Sequence, residues 1–282
     1  MNQEERKNTL NDDQWKDESD SSSSSNWSEY FGGDSGDINL KETPPAKDET
    51  SSVAQNRQIL NLLFIIDVSG SMRGQRIGMV NYALENIFKE LKSKDDTNAV
   101  IKVGMLEFSE DAKWITSQPV QLDHFVFTRI EAQPWLTNFA PAFDQLNSKL
   151  SRKAFMNPDI GEYFAPVILF VTDGEPTDVT EYPYALERLH KNGWFRQSAK
   201  YAIAVGEEAR SAEVARLLSQ FTGDANSVRY ADEGEALCSL IQYVAIRASQ
   251  IQTSMVSSGS NANSSNNVFD QTDPHFSSLF NQ

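Results

Sequence analysis

The sequence predicts a doubly wound α/β domain: a mostly parallel six-stranded sheet with helices on both faces and one short antiparallel edge strand. Three observations carry that expectation. Stretches of strand character and of helical spacing alternate between residues 58 and 251, the pattern that lays parallel strands side by side under covering helices. Two apolar runs, 59–66 and 167–172, have the composition of buried strands. Each is followed at once by an aspartate in a turn-forming segment, Asp67-Val68-Ser69-Gly70-Ser71 in one case and Asp173-Gly174 in the other.

Taken in order, the first strand is 59–66. Met79, Val80, Ala83, Leu84, Ile87, Phe88 and Leu91 recur at helical spacing, which predicts an amphipathic helix over 77–92. Residues 100–108 alternate as a strand, with 112–116 an antiparallel partner across Ser109-Glu110-Asp111. A helix follows over 141–150 and a buried strand over 167–172. The remaining elements are a helix over 184–189, a strand over 199–205, a helix over 212–221, a short strand over 227–230 and a final helix over 234–251. In such sheets ligands bind beyond the carboxyl ends of the strands where strand order reverses. Asp67 and Asp173 both stand at carboxyl ends.

The chain has 282 residues, 39% of them hydrophobic, enough for one good-sized core flanked by two polar tails. Residues 1–50 hold thirteen acidic and five basic side chains, a net of −8 out of −15 for the chain, together with five serines at 21–25. The expected organisation is a disordered acidic, Ser-rich tail over 1–57, a folded domain over 58–251 and a disordered Ser/Asn-rich tail over 252–282. The acidic balance argues against nucleic acid as a partner, because phosphate binding needs clustered Lys and Arg. No run approaches the ~20 apolar residues that cross a bilayer, and the start lacks the apolar stretch of a secretory signal. A single cysteine excludes an intramolecular disulfide and fits a cytoplasmic protein. Trp15, Trp27, Tyr30 and Phe31 in one tail and Phe269, Phe276, Leu279 and Phe280 in the other are unusual in polar segments. They read either as motifs that fold on a partner or as solvated residues of a flexible chain. The serine run reads as a spacer or as a phosphorylation target.

Asp67, Ser69 and Ser71 alternate, so an extended segment puts their three oxygen side chains on one side. Thr137, in Trp135-Leu136-Thr137-Asn138, and Asp173 add two further oxygen donors from other loops. Hydroxyls, carboxylates and retained waters suit Mg2+ or Mn2+. Zinc is disfavoured: His124, His190 and His275 are scattered and Cys238 is alone. Gly70 and Gly74 let the backbone turn tightly around an ion. Hydroxyl ligands bring no formal charge, so the cation keeps a positive residue and an open position for a carboxylate from outside. The plainer alternative is that Ser69 and Ser71 cap the following helix and Asp173-Gly174 is an ordinary turn.

This constellation resembles the metal-ion-dependent adhesion site of von Willebrand factor A domains, with the pattern Asp-x-Ser-x-Ser, a loop Thr and a strand-end Asp-Gly. The resemblance covers roughly residues 58–250. It implies a Rossmann-like fold and strand order, direct ligation of the ion by Ser69, Ser71 and Thr137, and ligation through water by Asp67 and Asp173. Within the family, Thr172-Asp173-Gly174-Glu175-Pro176-Thr177-Asp178 is similar to bacterial cytoplasmic TerY-like proteins associated with tellurite resistance. Family members commonly carry glycines before the loop Thr, whereas Pro134-Trp135-Leu136 precede Thr137 here. The stiffer loop either changes how Thr137 reaches the ion or adds Trp135 to the binding face.

The function this implies is a non-enzymatic adaptor that takes an Asp or Glu of a protein partner on Mg2+ (or Mn2+). The resemblance places it in a stress-response system, its partner a kinase, phosphatase or ATPase of that system. Two other classes compete: a magnesium-dependent phosphatase or phosphotransferase, and a metal-independent scaffold acting through its tails. The enzyme reading lacks parts. Ser69 stands where an aspartyl phosphatase needs a second acid, and there is no phosphate-binding Gly-rich loop ending in Lys-Ser or Lys-Thr. No His lies in either metal loop to activate a serine. Asp178 reads as a support for the site or as an exposed turn carboxylate, Glu207 and Glu208 as solvated charges, Trp114 and Trp194 as packing anchors, and Cys238 as a small core residue.

Overall fold

The structure, a computed structural model, describes residues 57–93, 99–232, 237–239 and 241. Strand β1 (Gln58–Asp67) is the axis of the sheet, paired in parallel with β2 (Ala99–Phe108) on one side and β5 (Val167–Thr172) on the other. β6 (Ala199–Val205) and β7 (Val228–Ala231) continue in parallel beyond β5. At the far edge β3 (Ala112–Trp114) and β4 (Val120–Gln121) pair antiparallel with successive parts of β2, β3 with 106–108 and β4 with 102–103, giving the order β3-β2-β1-β5-β6-β7 with β4 off this path on β2. The sheet thus has seven strands among the described residues, one more than the pattern of the sequence predicts. β4 escapes prediction because two residues behind Pro119 carry no periodicity.

The sheet is buried on both faces because β1 presents apolar side chains to each in alternation. Leu60, Leu62, Phe64 and Ile66 join Val80, Ala83, Leu84 and Ile87 of α1 (Gln75–Ser93). Leu237, Cys238 and Ile241, which are helical, complete that layer, so Cys238 is a core residue. Leu63 and Ile65 face α2 (Phe139–Lys149), α3 (Tyr182–Lys191), α4 (Gly193–Gln197) and α5 (Ala212–Thr222). Phe170 is the hub of this second layer, with ring centroids 5.0 Å from Phe139 and 4.9 Å from Phe221. Trp114 packs edge-on to Phe155 and Trp194 lies half-buried against the same layer, both as anchors. The tails, with their aromatic residues and serine run, and most of the expected final helix lie outside the described residues.

Two polar side chains hold the irregular segments that lead to the strand ends. The Asn81 amide is buried: it donates to the carbonyls of Ile77 and Ile130 and accepts the Ile130 amide at 2.8 Å, tying the stretch before Thr137 to α1. Asp178 caps α2 from outside, accepting from the amides of Phe139 at 2.9 Å and Ala140 at 2.7 Å. A carboxylate there satisfies two first-turn donors and complements the helix dipole. This is why α2 begins at Phe139 rather than at Pro141: proline is tolerated in the first turn, where its missing N–H costs nothing. α4, not foreseen in the sequence, is nucleated by Asn192, whose side-chain oxygen accepts from the amides of Trp194 and Phe195.

Replacing Asp178 by alanine removes both bonds at the start of α2. The expected cost is about 1–2 kcal/mol in urea unfolding, with faster hydrogen exchange at Phe139 and Ala140.

Candidate functional site

Strand order reverses between β1 and β5, so the crevice at their carboxyl ends is the topological switch point of the sheet. Asp67 ends β1 there and Asp173 follows β5. Asp67 is fully buried, and each of its oxygens is engaged: Oδ1 accepts the Ser69 amide at 2.8 Å and Oδ2 accepts the Thr172 hydroxyl at 2.6 Å. Thr172 therefore stitches β5 to β1 at the point where the two loops diverge. Burial pushes the Asp67 carboxyl up to about 6, since taking charge out of water outweighs the help of the Ser69 and Thr172 hydrogen bonds.

From Asp67 the chain leaves the strand through Ser69, which precedes a turn of 3-10 helix, Gly70–Met72. The Ser69 hydroxyl makes no cap to that turn and lies 3.1 Å from the Ser71 hydroxyl instead. Ser71 donates to Asp173 Oδ1 at 2.8 Å. Asp67, Ser69, Ser71 and Asp173 are thus brought together, and the cap reading of Ser69 is not the geometry found. Of the two glycines, Gly74 (φ +76) makes the left-handed turn, while Gly70 offers its amide to the Trp135 carbonyl at 3.0 Å.

That bond brings in the third loop. The Gln133 amide donates to the Val68 carbonyl at 2.6 Å, the Asn138 amide to Ser109, and the Thr177 amide to the Thr137 carbonyl at 2.7 Å. The Thr177 hydroxyl also donates to Thr137 O and Asn138 Oδ1. Thr137 is buried, and its loop is tied to the Asp67–Ser71 segment through Gln133 and Trp135, but no hydrogen bond among the described residues places its hydroxyl with the other four side chains. Trp135 and Leu136 turn outward, 54% and 57% exposed, so the bulk that replaces glycine before Thr137 is accommodated in solvent.

The donors suit a hard divalent ion. An octahedral Mg2+ with bonds of about 2.0–2.1 Å has cis ligands about 3 Å apart. The Ser69 and Ser71 hydroxyls lie 3.1 Å apart, compatible with two cis ligands, and Asp173 is bonded to the Ser71 hydroxyl. Among the described residues no three of His, Cys, Asp or Glu converge, so these hydroxyls and carboxylates, rather than an imidazole or thiolate set, are what the strand ends offer.

Arg76, at the start of α1, is a member of the site that the sequence reading misses. Its Nη1 donates to Asp173 Oδ2 at 2.8 Å and to the Ser71 carbonyl at 3.3 Å. Its Nη2 pairs with Glu208, in the turn after β6, so Glu208 is a partner of this group rather than a merely solvated charge. A usable signal existed: a cation in the first turn of a helix opposes the helix dipole and calls for a compensating anion. Asp178 likewise acts at one remove, capping the helix that follows Thr137.

Residues 62–175 match the family model described as the von Willebrand factor type A domain, a stretch that contains all five oxygen-bearing residues. Inter-alpha-trypsin inhibitor heavy chain H6 of Homo sapiens is 26% identical over 191 residues, 63% of this chain and 14% of that protein; the chain therefore spans a small part of this relative's length. The pilus adhesin SpaC of Lactobacillus rhamnosus GG, in an open conformation, is similar in fold, with a TM-score of 0.52 and 14% identity over 70% of this chain and 30% of that one. A variant of the PilB minor pilin from Streptococcus sanguinis gives 0.51 and 16% over 75% and 65%. The matched stretch begins within β1 and ends just past Asp173, so it includes both strand ends that flank the crevice.

Because the Asp67 carboxyl is raised from 3.8 to about 6, the folded state binds the extra proton between those values, and its stability falls as pH rises through that window. In chelator at pH 7, Asp67→Asn should be more stable than wild type by up to about 3 kcal/mol, and the gain should vanish below pH 4. Thermal melts from pH 3.5 to 8 measure this.

Proposed function

We propose that this chain is a non-enzymatic protein-binding module that captures an Asp or Glu of its partner on a divalent cation, Mg2+ or Mn2+. Ser69, Ser71 and Thr137 would hold the ion directly, Asp67 and Asp173 through water. The observation that carries the reading is the pair of hydroxyls Ser69 and Ser71, 3.1 Å apart over the buried Asp67, with Asp173 accepting a hydrogen bond from Ser71 as a carboxylate acting at one remove would. When bound, the ion supplies a Lewis-acidic position with residual positive charge. The protein's part is to fix the hydroxyls in place, through the Thr172 bond to Asp67 and the main-chain ties of the 133–138 loop. The exposed Trp135 and Leu136 put apolar surface beside this position, suited to a partner segment with an apolar residue near its acid.

Asp67 also bears on the enzyme alternative. A carboxylate with no exposed surface and both oxygens bonded is poorly placed to attack a phosphoryl group, which supports a binding role. The likeness of Thr172–Asp178 to TerY-like proteins makes a bacterial stress-response system of the tellurite-resistance type our proposed setting, with a kinase, phosphatase or ATPase as partner, in the cytoplasm. No helix among the described residues is long and apolar enough to cross a membrane.

Magnesium at ten times its dissociation constant should stabilise the wild-type chain by roughly 1.4 kcal/mol, and Asp67→Asn and Ser71→Ala should lose the shift. Partners captured in magnesium and released both by chelator and by Ser71→Ala would support recognition through the ion. Partners held equally in all conditions would place recognition on another surface.

A further inference from the structure

Arg76 is held at the strand ends from several sides. Nη1 engages Asp173 and the Ser71 carbonyl, Nη2 engages Glu208, and the Nε edge lies over Gly206. A Cβ at Gly206 would come within 2.9 Å of Arg76 Nε, and the φ of +92 there is one that residues with side chains rarely adopt. Backbone space, an ion pair and a second carboxylate therefore all fix this guanidinium. Arg210, two residues beyond Glu208, is paired with Asp232.

The charge of Arg76 sits on the same carboxylate that the cation needs. A guanidinium and a divalent ion around one Asp173 repel each other, and the side chain, 24% exposed, is only partly screened by water. Without an ion, Arg76 neutralises one of the two aspartates that converge at the strand ends. We propose that Arg76 is the built-in counter-ion of the cation site: it neutralises Asp173 when no ion is bound, opposes the ion's water-mediated use of that carboxylate, and is retained by Glu208 when the ion is bound. The proposal rests on the divalent-cation reading above. Its consequence is that the ion binds more weakly than the oxygen donors alone would dictate, so occupancy follows the ambient cation concentration.

Calorimetric titration of the full chain with Mg2+ and with Mn2+ tests this. Arg76→Gln should bind the ion about tenfold more tightly than wild type and, in chelator, melt at a lower temperature, because Asp173 then lacks its partner. Glu208→Gln should bind more weakly, and adding it to Arg76→Gln should change nothing, because a carboxylate 74% exposed reaches the site only through Arg76. If Arg76→Gln does not fold, Arg76→Lys, which keeps the charge without the fork, should shift affinity in the same direction by a smaller factor. Wild type binding the ion, with the Arg76 variants binding equally or more weakly, overturns the counter-ion role and leaves the cation reading standing. No binding by wild type and variants alike overturns both. A persisting effect of Glu208→Gln in the Arg76→Gln background overturns the part given to Glu208.

Discussion

The burial of Asp67 is the constraint on which the rest of the site depends. A carboxylate taken wholly out of water at the end of a central strand is costly unless its oxygens find donors, and β5 supplies one through Thr172 while the following loop supplies the other through the Ser69 amide. Those two bonds fix the direction in which the chain leaves β1. They also fix the separation of the two strand ends, and with it the approach of Asp173 to Ser71. The site is therefore an outcome of sheet topology: only where order reverses do two adjacent strands send their following loops apart, leaving a crevice for such a group.

Around this centre the irregular parts of the chain are held by polar bonds in addition to packing, for Phe125 and Ile130 are buried in the core. The stretch from Phe125 to Asn138 has no regular structure, yet it is tied to α1 through Asn81, to the β1 loop through Val68 and Gly70, and to the segment after Asp173 through Thr177. Asp178 then starts α2 immediately beyond Thr137. Three loops distant in sequence thus share one hydrogen-bonded frame, which holds the hydroxyls in place.

Much of this was legible in the sequence, for identifiable reasons. Strand 167–172 is a nearly unbroken apolar run ending at Asp173-Gly174, strand 199–205 is apolar but for Lys200 and ends at Gly206, and the apolar stripe of α1 persists for several turns. Asp67, Ser69, Ser71 and Asp173 group in the sequence through their resemblance to the adhesion-site pattern, whose family supplies the strand order that the alternation alone does not. Other features left weaker traces. β4 is too short to show a period, and α4 depends on the local cap from Asn192. The start of α2 depends on Asp178, a residue far along the chain, and Pro141 suggested a later boundary. Arg76 and Glu208 are 132 positions apart, and nothing local announces their pairing.

The outward turn of Trp135 has a consequence of its own. Its carbonyl is bonded to Gly70 in the loop that carries Ser69 and Ser71, while its indole stands in solvent. Among the described tryptophans, Trp114 is buried and Trp194 half-buried, so a water-soluble quencher separates their emission from that of Trp135. With Trp15 and Trp27 replaced by phenylalanine, the crevice therefore carries an intrinsic optical reporter, one residue removed from Leu136 and two from Thr137, through which events at the strand ends become visible without a label.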